Sequence, residues 1–456
     1  MGREFPLTPR DVPRINTAHR RIVTPIPAPA SIARLERLRA HEPASMGGQP
    51  PVIWHEGDGF HIRDPYGNQW IDFSAGVLVA SMGYGHPRVI AAMKRQLDTG
   101  LYHTYCFANE PRIALIEKLA ALAPPPLEKV FLLSTGSEAT ECAMKLAFTH
   151  ALRLGQPEKT RLVTFENAFH GRTLGAQLAG GWPGLKDWIP GNHPEYVQVP
   201  YPDGFRTTDT SFDLFERSLA EQGVDPGSVC GVMTETYQGC NAQMFPVDYA
   251  RRLRQWCDTH GALLIFDEIQ AAFGRTGTMF GFQHLGISPD LITCGKGISG
   301  GMPLSAVIGR AEVMDLYGPG AMTSTHTANP ICCAATLANL QALEDEDAVG
   351  NAARLAPTLA EASAALCDAA HGRIGKVAAI GLVAAVQFVT PGTTTPDHDT
   401  AWEVVRRCVE SGVMLFAPVG VGGGAIKINP PLTITKEALL EGLKVVSDAV
   451  RAFCRG

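Results

Sequence analysis

Short apolar runs rich in β-branched residues recur through the middle of this 456-residue chain. They read VFLLS (130–134), RLVTF (161–165), GVMTE (231–235), ALLIF (262–266), LITCG (291–295) and LSAVIG (304–309), with helix-like segments between many of them. Runs that stay apolar without alternating suit strands covered on both faces. Strands alternating with helices predict an α/β domain with a mostly parallel sheet between helices. Ligands of such sheets bind beyond the carboxyl ends of the strands.

The unusual residues of the sequence fall at those ends. After VFLLS comes Thr135-Gly136-Ser137-Glu138, opening an Ala/Leu/Met-rich helix expected over roughly 138–153. A helix N-terminus offers unpaired N–H groups and a positive dipole end, so Gly136 and Ser137 can form a phosphate cup. After RLVTF comes Phe169-His170-Gly171-Arg172, which sets a flat ring beside that cup. ALLIF ends in Asp267, and LITCG in Lys296. An acid buried at a strand end needs a cation or donor to meet it. Phosphate cup, aromatic face, buried Asp and strand-end Lys together describe a pyridoxal phosphate site. Lys296 would form the Schiff base, and Asp267 would hold the pyridinium nitrogen protonated.

Composition removes other classes. A net charge of -6 without Lys/Arg-rich runs interleaved with aromatics predicts no nucleic-acid partner. The first 30 residues lack an apolar export core, and no apolar stretch reaches the roughly 18 residues of a membrane helix, so neither export nor membrane insertion is expected. Eleven cysteines without a C-x-x-C pair predict reduced thiols in the cytoplasm rather than disulfides or a zinc site.

Several of these stretches carry a resemblance. STGSEATECAMKLA (134–147), FHGRT (169–173), DEIQAAFGRTG (267–277), the lysine of CGKGISGGMPLSAVIG (294–309), THTANP (325–330) and KINPPLTI (427–434) stand in the order of a class III (ω-amino acid type) aminotransferase. The chain therefore resembles a fold-type I pyridoxal phosphate enzyme over most of its length. The resemblance implies a large domain with a seven-stranded-type sheet over 80–330, and a smaller α+β domain built from 1–79 and 331–456. It implies amino transfer from an amine or amino acid donor to a 2-oxo acid by a ping-pong mechanism, with a racemase or epimerase of the same family as the alternative. It assigns Gly136 and Ser137 to the phosphate, Phe169 to stacking, Asp267 to the pyridine nitrogen, Gln270 to the ring hydroxyl and Lys296 to the covalent link and proton shuttle. Glu235 matches a family glutamate near the cofactor. Thr325 matches a threonine reaching the phosphate from a second subunit, implying a homodimer or a tetramer. Independently, Gly57-Asp58-Gly59 and Tyr66-Gly67-Asn68 punctuate 54–73 as hairpin turns between small antiparallel strands.

Three departures bear on the substrate. Relatives that act on γ-aminobutyrate or ornithine pair a glutamate with an arginine as a switchable lock, at positions held here by Cys240 and Lys427. A neutral Cys240 cannot form that salt bridge. Lys427 is left either to bind a carboxylate as a point charge or to lie on the surface. Ala272 replaces a usual Gly, which matters only if that backbone needs positive φ. Arg172 is kept where some relatives bind a distal carboxylate.

Overall fold

The computed structural model describes residues 3–454. The chain divides into two compact units, one of Pro87–Gly350 and one formed by the chain on either side of it. Among the described residues no helix is long and apolar enough to cross a membrane.

The Pro87–Gly350 unit is built on a seven-stranded sheet: β1 (Lys129–Leu133), β2 (Arg161–Phe165), β3 (Tyr196–Val199), β4 (Val229–Glu235), β5 (Leu263–Asp267), β6 (Leu291–Cys294) and β7 (Ser305–Gly309). The strand order is β1-β7-β6-β5-β4-β2-β3. Only β7 runs against its neighbours, pairing antiparallel with both β1 and β6. The remaining contacts are parallel, so six carboxyl ends share one edge. The sequence runs fall within a residue or two of these strands, and the fold is the expected α/β type. The edge strand β3 was not among them.

Helix α1 (Gly136–Arg153) lies on this sheet. Its Ala139, Ala143, Leu146 and Ala147 are fully buried with Met233, Ile265 and Leu291 of the strands below. Burying the larger of these chains, Leu146, Met233, Ile265 and Leu291, contributes roughly 1.5–3 kcal/mol each. Small residues let the layers approach closely, and a Cβ on Gly231 would already lie 3.4 Å from that of Ala147. The helix starts two residues earlier than expected because Thr135 and Glu138 form a reciprocal capping box.

The other unit carries the small antiparallel strands. Glu56–Asp58, His61–Arg63 and Gln69–Asp72 pair in sequence; the second hairpin turns through the expected Tyr66-Gly67-Asn68, while the first turns at Gly59-Phe60, with Gly57 and Asp58 inside the strand. A separate three-stranded sheet joins Ile374–Ile380, Val383–Phe388 and Ala425–Ile428. Trp70 is fully buried and donates its indole N–H to the Val409 carbonyl at 2.7 Å.

Candidate active site

A pocket of about 220 Å³ opens at the carboxyl edge of the large sheet, lined by Thr135, Gly136, Ser137, Phe169, His170, Gly171, Glu235, Asp267, Ile269, Gln270 and Lys296. Of the expected residues, Gly136, Ser137, Phe169, Glu235, Asp267, Gln270 and Lys296 meet there. Thr325 is exposed and does not line it.

The cup follows from the capping box. Thr135 Oγ1 accepts the Glu138 N–H at 3.2 Å, and Glu138 Oε2 accepts those of Ser134 and Thr135 at 2.9 Å each. No hydrogen bond among the described residues claims the N–H of Gly136 or Ser137, which leaves two donors at the positive end of an 18-residue helix. Close packing shapes the rest. A Cβ on Gly136 would lie 2.8 Å from Ile269 Cδ1, and one on Gly171 would lie 2.3 Å from Ser137 Oγ. Ser137 Oγ also accepts the Arg172 N–H at 3.2 Å, pinning the 169–172 loop to the cup.

Asp267 ends β5 and is 4% exposed. Its Oδ1 accepts the Ile269 N–H at 3.1 Å, and its Oδ2 lies 2.8 Å from His170 Nδ1. A carboxylate only accepts, so His170 carries its proton on Nδ1 and donates. Burial pushes the His170 pKa down, but the hydrogen bond and charge of Asp267 outweigh it and hold the ring above its ordinary value. The sequence reading gave His170 no role. Its only signal was its place in the loop after β2, next to the expected stacking ring.

Glu235 stands beside Asp267 in the parallel register of β4 and β5. Burial pushes its carboxyl up to about 7, and the nearby charge of Asp267 adds to the rise. Lys296 leaves β6 through a left-handed backbone, with φ 46°. Burial lowers its pKa while Asp267 and Glu235 oppose that shift, so more of the amine is held in its nucleophilic form. Phe169 presents its ring to the pocket, and the Arg172 guanidinium carbon lies 5.6 Å from that ring's centroid. Ile269, also passed over in the sequence, adds an apolar side chain to the lining.

This donor set fits pyridoxal phosphate: two free amides at a helix N-terminus, an aromatic face, a buried carboxylate, a primary amine and the Gln270 amide. Cys240 is buried, with Sγ 3.6 Å from Gln238 Oε1. Lys427 is 3% exposed at the centre of the Ala425–Ile428 strand in the other unit, which corrects the surface alternative. Left-handed backbone falls on Phe273 (φ 57°) rather than on Ala272, so the added methyl of Ala272 causes no strain.

Comparison with known proteins agrees. The family model "Aminotransferase class-III" matches residues 44–450. A 4-aminobutyrate aminotransferase of Mycobacterium leprae is 33% identical, covering 95% of this chain and 98% of its own. A 5-aminovalerate aminotransferase of Pseudomonas putida is 32% identical, covering 91% and 97%. Among solved structures, an ornithine aminotransferase of Toxoplasma gondii aligns with a TM-score of 0.81 at 28% identity, covering 92% of this chain and 94% of its own.

The platform loop yields a prediction. Gly181 accepts the Asn167 N–H and donates to the Ala168 carbonyl, each at 2.9 Å. A Cβ there would lie 2.2 Å from the Phe165 oxygen and 2.4 Å from the Asn167 nitrogen. These are backbone atoms that cannot rotate away. Gly181→Ala is expected to cost about 1–3 kcal/mol of stability in urea unfolding and to loosen the cofactor. An unchanged midpoint with normal cofactor retention would contradict that reading.

Proposed function

The chain belongs to the class III aminotransferases, and from that premise we propose that the pocket formed by Lys296, Asp267, Phe169 and the Gly136-Ser137 cup is where it moves an amino group from an amine donor to a 2-oxo acid. Family and relatives establish pyridoxal phosphate-dependent amino transfer, and nothing in the comparisons favours the racemase alternative. The observation that carries the site assignment is the meeting of a desolvated lysine with a buried carboxylate beside two unclaimed helix amides.

When bound, pyridoxal phosphate supplies an electron sink that makes the donor's Cα–H acidic. The N–H groups of Gly136 and Ser137 would hold the phosphate. Asp267, fixed by His170 and the Ile269 amide, would accept from the ring nitrogen. Phe169 and Ile269 would flank the ring and exclude water, and Gln270 would meet the ring hydroxyl. Lys296 would hold the cofactor covalently and, as a free amine, would serve as the proton carrier at Cα.

Relatives named for 4-aminobutyrate and 5-aminovalerate support a donor with a terminal amine. Arg172 and Lys427 are the proposed cations for substrate carboxylates. Arg172 is exposed at the pocket's own loop, and Lys427 rests on the family resemblance. Cys240 argues against a switchable carboxylate lock. A cytoplasmic location is proposed from the sequence, whose eleven cysteines without a C-x-x-C pair suit a reducing compartment.

We also propose a homodimer. Thr325 lies outside the pocket of its own chain, and large apolar side chains stand exposed, Tyr102 at 63% and Phe107 at 77%. Light scattering on the eluting protein is expected to give twice the 48.9 kDa chain mass; a monomer of full activity would refute the shared site.

Borohydride reduction is expected to fix the cofactor to Lys296, and a label on any other lysine would overturn the assignment. Asp267→Asn keeps the shape but loses the charge that stabilises a protonated ring. It should keep the fold while losing at least about 100-fold in rate, roughly 2.7 kcal/mol of barrier. Near-normal turnover would exclude that role.

A further inference from the structure

We propose that Glu235 is a positioning residue that ties the aromatic platform to the turn bearing Cys240, so that the two segments move as one. This rests on the reading of Phe169 as the stacking ring. The carboxylate has two oxygens and each serves a different segment. Oε2 accepts the Phe169 N–H at 3.1 Å, in the loop after β2, and Oε1 accepts the Gly239 N–H at 2.9 Å, in the turn after β4. Hydrogen bonds to an ionised acceptor are about twice as strong as neutral ones.

The turn is pressed against its anchor. A Cβ on Gly239 would lie 2.6 Å from Glu235 Oε1 and 2.3 Å from Gln270 Nε2, so no side chain fits between the turn and these two groups. The same segments are joined a second time, because Gln238 Nε2 donates to the Glu166 carbonyl at 2.6 Å. Asn241 Nδ2 in turn donates to Gln238 Oε1 at 2.8 Å, and Cys240 Sγ lies 3.6 Å from that same oxygen. A substrate group that displaces Cys240 would therefore pull on the backbone of Phe169. Position 240, at which this chain departs from its relatives, is thereby coupled to the ring that holds the cofactor.

Proton binding opens the clamp. A protonated carboxyl keeps one accepting oxygen and turns an O–H against the other amide; the proton can sit on either oxygen, so each segment in turn loses its partner. The groups around Glu235 are Asp267, His170, Lys296 and the hydroxyls of Tyr201 and Tyr237. Burial pushes the carboxyl up to about 7, which sets the opening within the working range of pH. Glu235→Gln mimics the opened form at every pH.

Hydrogen–deuterium exchange on the purified protein tests this. In Glu235→Gln, peptides covering 166–171 and 238–242 are expected to exchange at least about tenfold faster together, while peptides over 135–139 stay unchanged. In the unaltered protein both peptides should speed up together as pH falls through about 7, after correction for intrinsic exchange. The variant should lack that transition. Acceleration of one segment alone, or the same pH response in both proteins, would overturn the clamp. Should the variant fail to fold, absence of the joint transition in the unaltered protein overturns it by itself. Borohydride labelling on the same preparation separates the two readings, since label on Lys296 without coupled exchange sinks the clamp and leaves the amino transfer site standing.

Discussion

The site depends on one buried contact, the 2.8 Å hydrogen bond from His170 to Asp267. Three acids, Glu235, Asp267 and Glu268, lie at the carboxyl ends of β4 and β5, all nearly or fully buried. Unpartnered carboxylates there would be costly. Each is met differently. Glu268 takes the Gly281 N–H at 2.7 Å, the Phe282 N–H at 2.9 Å and the Thr236 hydroxyl. Glu235 takes two amides. Asp267 alone is given an imidazole whose own pKa is raised by the contact. Glu235 and Glu268 are pushed up to about 7 by burial. The structure thus distinguishes the acid paired with an imidazole from those that hold loops, although all three are carboxylates within two strand ends.

The topology brings these groups together. Six strands ending on one edge place five loops around a single pocket, and β7 supplies Ser305 from the opposite direction. Ser305 Oγ donates to the Thr135 carbonyl at 2.7 Å, which fixes the residue that caps α1. The cup is therefore held from the sheet as well as from its own capping box. Secondary structure, capping and site geometry converge on Thr135, which also lines the pocket.

What the sequence made legible followed from periodicity and punctuation. Short, mostly apolar runs marked β1, β2, β4, β5, β6 and β7, and the polar residues just after them marked the pocket. The strand β3 escaped because Tyr196–Val199 alternates half-buried and buried positions within a Pro- and Gly-rich stretch. His170 escaped because its role is a contact from a loop to a strand end 97 residues away in sequence. Ile269 escaped because one apolar residue between Glu268 and Gln270 reads as spacing. The burial of Lys427 was beyond reach for another reason: an alternating KIN step beside two prolines does not reveal whether its strand is covered on both faces.

Backbone strain falls on one of the pocket's own residues. A chain leaving a strand and reversing within a residue or two requires positive φ, and glycine or asparagine ordinarily takes that place. Asn167 does so after β2, with φ 61°. After β6 the glycine comes one residue too early: Gly295 is extended, and Lys296 takes the left-handed conformation with φ 46°. For a residue with a Cβ this costs roughly 1–2 kcal/mol. Moving the turn onto Gly295 would relieve the strain but redirect the lysine, and only the amine at 296 follows β6 directly into the pocket. The strain is tolerated because the surrounding contacts over-determine it: the Ser299 N–H meets the Lys296 carbonyl, and Asn339 Nδ2 donates to the Gly297 and Ile298 carbonyls at 3.1 Å each. A residue selected for backbone ease would have been glycine. Lysine in that position is a local conflict of the kind that functional sites carry.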